Sequence, residues 1–127
     1  MFKIGKSFKF DAAHRLGYLP ADHQCSRLHG HTYNVTLTLI SRNRLEDEGW
    51  VYDYGKLKPF KDWINRNLDH RFLNDVIGEL STAERLAQYL FSLAEELFSA
   101  DLPVGVRIYS VRVQETADTF AEYSLEN

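Results

Sequence analysis

The sequence predicts an α+β fold: an antiparallel sheet of four strands with two helices on one of its faces, in the order ββααββ. Three observations predict it. Apolar and polar residues alternate over residues 2–14 and again from residue 29, the pattern of half-buried strands. Two central segments repeat apolar residues at three- and four-residue spacing, the pattern of amphipathic helices. A Val- and Ile-rich run at 104–115 and a short last strand at 119–125 complete the chain. A pair of strands at each end, with helices between them, packs as one sheet covered on one side.

In the first strand Phe2, Ile4, Phe8, Phe10, Ala12 and His14 share one parity, and Lys3, Ser7, Lys9 and Asp11 share the other. His14 therefore lies on the apolar side, below Phe8 and Phe10. Gly17, Pro20, Asp22 and His23-Gln24 mark residues 15–28 as a loop. In the second strand His29, His31, Tyr33, Val35, Leu37 and Leu39 continue one face, with Asn34, Thr36 and Thr38 on the other. A polar connection spans 41–52. The first helix is predicted to start with Asp53 near its N-cap and to bury Leu57, Phe60, Ile64 and Leu68, with Trp63 beside them. Ser81-Thr82-Ala83-Glu84 has the S-x-x-E pattern of a capping box and predicts the second helix. Its apolar stripe is Leu86, Tyr89, Leu90, Leu93 and Leu97, and Leu102-Pro103 closes it. The parity of the third strand shifts near Ser110, which predicts a bulge or burial on both faces. A sheet of four strands leaves open edges, and open edges favour self-association.

Composition narrows the function classes. The 127 residues suit a single domain, 1–127, with a sizeable core. A net charge of −3 provides no basic footprint for nucleic acid. One cysteine cannot form an internal disulfide, and a lone thiol fits a reducing cytoplasm. The alternating N-terminus lacks the apolar core of a signal peptide, and no run reaches the ~18 apolar residues of a membrane span. A cytoplasmic protein is expected.

The chemistry concentrates in Cys25-Ser26-Arg27-Leu28-His29-Gly30-His31 and in His14. In an extended chain residues two apart point the same way, so His29 and His31 form a metal-ligand pair. If the first two strands are neighbours, His14 supplies a third imidazole on the same face. Three neutral imidazoles bind zinc and leave a fourth position open, although iron or another divalent ion also suits them. Cys25 reads as a nucleophile or base whose thiolate a nearby cation favours, or as a fourth ligand that would close the site. Asp69-His70, just past the first helix, reads either as a helix end or as a proton-transfer histidine with its tautomer set by a carboxylate. Glu115 ends an otherwise apolar strand; it reaches solvent or accepts paired N–H donors from a ligand.

Taken together, Phe10-Asp11-Ala12-Ala13-His14, Cys25-x-x-x-His29-Gly30-His31, Leu68-Asp69-His70 and Gln114-Glu115-Thr116 resemble the 6-pyruvoyltetrahydropterin synthase superfamily. The resemblance runs from Phe2 to about Tyr123. Within the superfamily the chain is most similar to the bacterial 6-carboxy-5,6,7,8-tetrahydropterin synthase branch of queuosine (7-deazaguanine) biosynthesis. Three residues separate Cys25 from His29-Gly30-His31, whereas the animal pyruvoyl enzymes carry a longer insert and a folate-pathway branch has Glu in place of the Cys.

The resemblance implies a tunnelling (T-) fold, with trimers closing a barrel and stacking into a homohexamer whose active sites lie between subunits. It implies Zn2+ on His14, His29 and His31, and Cys25 as the base that removes a side-chain carbon proton. It further implies His70, oriented by Asp69, as a proton carrier and Glu115 as the pterin anchor. The implied substrate is 7,8-dihydroneopterin triphosphate, cleaved to a carboxylated pterin with release of acetaldehyde and triphosphate; Arg15, Arg27 and Arg71 are candidate phosphate partners. The rival readings are a pyruvoyl synthase, which eliminates triphosphate without cleaving the side chain, and a non-catalytic assembly module around a closed zinc site.

Overall fold

The two alternating segments form two 13-residue strands, β1 (Phe2–His14) and β2 (His29–Ser41), in the computed structural model, which describes residues 1–126. Asn127, the last residue of the expected domain, lies outside the described residues. The strands pair antiparallel over their whole length, with Phe2 opposite Ser41 and His14 opposite His29. Side-chain alternation then puts Phe8, Phe10 and Ala12 on the same buried face as Tyr33, Val35, Leu37 and Leu39.

Beside β2 runs β4 (Val106–Gln114), and beside β4 runs β5 (Ala121–Ser124), both antiparallel. Thr38 faces Ser110 while Leu39 faces Ile108, so Tyr109 is an extra residue in β4. This bulge is the source of the parity shift: Val106 and Ile108 before it, and Val111 and Val113 after it, all reach the core.

The helices α1 (Lys58–Asn67), α2 (Asn74–Ile77) and α3 (Ala83–Phe98) supply the rest of the core. Phe60 and Ile64 of α1, flanked by Leu57 and Leu68, are buried as expected, and the Phe60 ring meets Phe8 edge-on at 5.3 Å. From α3 the core receives Leu86, Ala87, Leu90, Phe91, Ala94 and Phe98.

Several expectations are corrected in detail. The sheet has five strands in the order β3-β1-β2-β4-β5, because β3 (Arg71–Phe72) adds in parallel to β1 at Ala12 and Ala13. Neither this two-residue strand nor the four-residue α2 is long enough to show a period. Asp53 caps a 3-10 turn, Tyr54–Leu57, by accepting from the Gly55 amide at 2.8 Å, and α1 begins after it with Pro59 in its first turn. The cap of α3 is Thr82, whose hydroxyl accepts from the Arg85 amide at 3.2 Å; Ser81 is buried and turned elsewhere. Tyr89 and Leu97 remain 39% and 37% exposed. Leu86 and Leu90 of the expected stripe are buried, and the buried face turns from Tyr89 and Leu97 to take in Ala87, Phe91, Ala94 and Phe98.

Because β3 covers β1 at only two residues, most of the outer edge of β1 has no partner strand among the described residues, and neither has the outer edge of β5. No helix among the described residues is long and apolar enough to cross a membrane.

Candidate active site

The antiparallel register brings the end of β1 to the start of β2, and three histidines converge there. His14, His29 and His31 present nitrogens that all lie within 4.8 Å of one another. The rings pack edge to face, with centroids 4.5 Å (His14–His29), 5.1 Å (His14–His31) and 4.9 Å (His29–His31) apart. Tyr33, stacked on Phe10, lies next along β2 below His31.

Hydrogen bonds aim the imidazoles. His14 Nδ1–H donates to the Ser81 carbonyl at 2.7 Å, and His29 Nδ1–H donates to the Arg27 carbonyl at 2.7 Å. These bonds assign the tautomers and leave both Nε2 lone pairs directed into the cluster, the usual support of a metal-binding imidazole. Burial, reinforced by the neighbouring imidazoles, lowers the pKa of His14 and of His31, which keeps them in the neutral, metal-binding form. His14 Nε2 is buried with no hydrogen-bond partner. A buried lone pair without a partner is costly, and a cation at the cluster removes the cost. The donor set and its orientation therefore fit a divalent metal ion.

A cavity of about 530 Å³ opens above the histidines. Cys25 lines it from a 3-10 turn, Gln24–Ser26, and its half-buried thiol is free. The turn is pinned by its backbone: the Cys25 amide donates to His23 Nδ1 at 3.0 Å and the Cys25 carbonyl accepts from the Leu16 amide at 2.8 Å. Glu115, just past the end of β4, also lines the cavity, with Oε2 3.5 Å from both His14 Nε2 and His31 Nε2. Burial first, and then the nearby Glu84, raise the pKa of its carboxyl. The structure thus joins five of the seven predicted site residues in one cavity.

Asp69 and His70 are not among them. Asp11 and Thr32 are register partners on the far face of the sheet, and Asp69 is tied to that face by accepting from the Asp11 amide at 3.0 Å. The second Asp69 oxygen pairs with His70 Nδ1 at 3.0 Å, and the His70 amide donates to the Asp11 carbonyl at 2.6 Å. The Asp11 hydrogen bond, followed by that from His70, lowers the Asp69 pKa. His70 has φ +58°, a left-handed conformation uncommon outside glycine and held here by the pairing of β3 with β1. Its side chain is 77% exposed and borders a second cavity of about 630 Å³ at the sheet edge, with Asp11, Thr32 and Arg71. Of the candidate phosphate partners, Arg15, Arg27 and Arg71, none lines the histidine cavity of its own chain.

Ser81, Thr82, Glu84 and Thr116 are the site residues that the sequence reading missed. Thr82, Glu84 and Thr116 line the cavity, and Ser81 holds His14 through its carbonyl. The S-x-x-E pattern predicts a capping box for Ser81 and Glu84, whereas Thr82 caps α3 and the Ser81 carbonyl accepts from His14.

The 6-pyruvoyl tetrahydropterin synthase family model matches residues 3–126. The chain is 36% identical over 133 residues to the 6-carboxy-5,6,7,8-tetrahydropterin synthase of Bacillus subtilis, covering 96% of this chain and 84% of that protein. It is 31% identical over 149 residues to the enzyme of the same name from Haemophilus influenzae, covering 97% and 99%. The solved 6-pyruvoyl tetrahydropterin synthase of Caenorhabditis elegans superposes with a TM-score of 0.80 at 26% identity, covering 98% of this chain and 96% of that one. The α+β T-fold expected from the resemblance is the fold found, with one more short strand than expected. Matched along nearly its whole length in sequence and in fold, the chain belongs to the 6-pyruvoyl tetrahydropterin synthase family of enzymes.

Proposed function

We propose that this protein is a zinc-dependent lyase that converts 7,8-dihydroneopterin triphosphate to 6-carboxy-5,6,7,8-tetrahydropterin, acetaldehyde and triphosphate, consuming water, in queuosine biosynthesis in the cytoplasm. The observation that carries the reading is the single cavity in which three aimed imidazoles, a free thiol and a carboxylate converge. The names of the relatives support the carboxylated product. The working form is a single T-fold domain assembled as a homohexamer, for which the open edges of β1 and β5 provide the pairing surfaces.

His14, His29 and His31 would hold the metal, which supplies Lewis-acid stabilisation of negative charge developing on the side-chain oxygens. Cys25, as thiolate, takes a proton from a side-chain carbon and so starts the loss of triphosphate. Asp69 fixes the His70 tautomer by accepting from Nδ1–H, leaving Nε2 to move protons during tautomerisation and the later carbon–carbon cleavage. His70 reaches a cavity from the neighbouring subunit. Glu115 accepts from the 2-amino and ring N–H groups of the pterin, a two-donor edge that suits one carboxylate.

Mass spectrometry of the products formed by the zinc-loaded protein, with no reductant present, tests the assignment. Carboxytetrahydropterin with acetaldehyde is expected. A pyruvoyl product would assign the sister reaction named for the C. elegans relative, and no turnover would leave the non-catalytic zinc module.

Glu115→Ala, assayed at saturating zinc, is expected to raise KM by tenfold or more, on the order of the ~1.5–3 kcal/mol of hydrogen bonds to a charged group, with a smaller change in kcat. An unchanged KM would remove the anchor role.

A further inference from the structure

We propose that Glu115 is the fourth ligand of the metal in the resting protein and surrenders that position when substrate binds. The inference rests on the three-histidine metal site and concerns a second use of a residue assigned above only to the pterin.

Distances carry it. Glu115 Oε2 lies 3.5 Å from His14 Nε2 and 3.5 Å from His31 Nε2. Two ligand atoms bonded to one tetrahedral zinc at about 2.0–2.2 Å are separated by roughly 3.3–3.6 Å. The carboxylate oxygen therefore stands at ligand–ligand distance from two of the three imidazoles; the atoms that already lie within 4.8 Å of one another are those of the three histidines, and Glu115 completes the set by moving toward His29.

No hydrogen bond explains the arrangement. A separation of 3.5 Å is too long for one, and the His14 proton is on Nδ1, donated to the Ser81 carbonyl at 2.7 Å. His14 Nε2 and Glu115 Oε2 thus face each other as two acceptors, and the nitrogen is buried without another partner. Acceptors facing across such a gap repel unless a cation lies between them. The carboxylate is itself half-buried, which adds a desolvation cost that a cation would offset.

A carboxylate that closes the fourth position cannot also hold the pterin. The N–H edge of the substrate offers Glu115 two donors in exchange for the metal, and its departure opens the ion to the reacting side chain. Anchoring the ring and opening the metal become one event, and a molecule without the pterin edge leaves the site closed.

The test replaces zinc with Co2+ in the full-length protein and compares wild type with Glu115→Gln, Glu115→Asp and His29→Ala. Glu115→Gln is expected to bind Co2+ on the order of tenfold or more weakly and to change the visible d–d spectrum, with Glu115→Asp intermediate. In water enriched in oxygen-17, the EPR lines of wild-type Co2+ protein are expected to stay narrow and those of Glu115→Gln to broaden. Broadening in wild type overturns the proposal, and this measurement depends on no variant folding. If Glu115→Gln matches wild type while His29→Ala loses Co2+, the fourth-ligand role fails and the three-histidine site stands. If both bind Co2+ as wild type does, the metal site itself fails.

Discussion

Cys25→Ala is expected to keep its zinc and to lose turnover by a factor on the order of 10²–10⁴, the range associated with a positioned acid or base. The structure makes this substitution clean. The hydrogen bonds that Cys25 contributes to its turn are made by its backbone, the amide to His23 Nδ1 at 3.0 Å and the carbonyl from the Leu16 amide at 2.8 Å, and alanine preserves them. The turn Gln24–Ser26 contains no buried residue, so little core packing is disturbed. What is removed is the sulfur facing the histidine cavity. Metal content by inductively coupled plasma mass spectrometry, alongside single-turnover kinetics, separates the two roles left open by the spacing of the motif. Retained metal with lost turnover assigns a base. Metal lost together with turnover assigns a ligand, and would place sulfur where Glu115 is proposed to stand.

Much of the site was legible in the sequence because strand periodicity is a geometric rule. His14 shares parity with Phe8 and Phe10, and His29 and His31 share parity with Tyr33 and Val35. Pairing of two such strands forces the three rings onto one face. The bulge was legible for the same reason, since burial of Val106 and Ile108 on one parity and of Val111 and Val113 on the other requires one unpaired residue. The missed features all depend on contacts distant in sequence. Ser81 precedes α3 in a pattern that mimics a capping box, yet its carbonyl is drawn to His14 Nδ1 and its hydroxyl to Asn74 Oδ1 at 3.0 Å, and Thr82 takes over the cap. The contribution of β3 rests on two residues docking beside Ala12 and Ala13, too few for any period to register. On α3, the helical repeat admits more than one apolar stripe, and the buried one keeps Leu86 and Leu90 but takes Ala87 and Ala94 in place of Tyr89 and Leu97.

Mixing two inactive variants is expected to restore activity. Cys25→Ala and His70→Ala homo-oligomers should each be inactive or nearly so, because each lacks one of the proposed proton carriers. The geometry within one chain keeps these residues on different sides of the sheet: Cys25 lines the histidine cavity, while His70 is tied through Asp69 and Asp11 to the opposite face and is 77% exposed. They serve one reaction only if the edge of β1 beside His70 meets the cavity of a neighbouring copy. Random co-assembly of the two variants then gives about a quarter of the interfaces a Cys25 from one chain and a His70 from the other. Co-expression with two different affinity tags, followed by sequential purification and assay, should recover activity near that fraction of wild type. Oligomers confirmed to contain both chains yet remaining inactive would show that His70 acts on the chain that carries it, or not at all. Recovery would show that the unpaired edge of β1 is part of the catalytic apparatus, and that the sheet leaves this edge open because a second copy supplies what the first lacks.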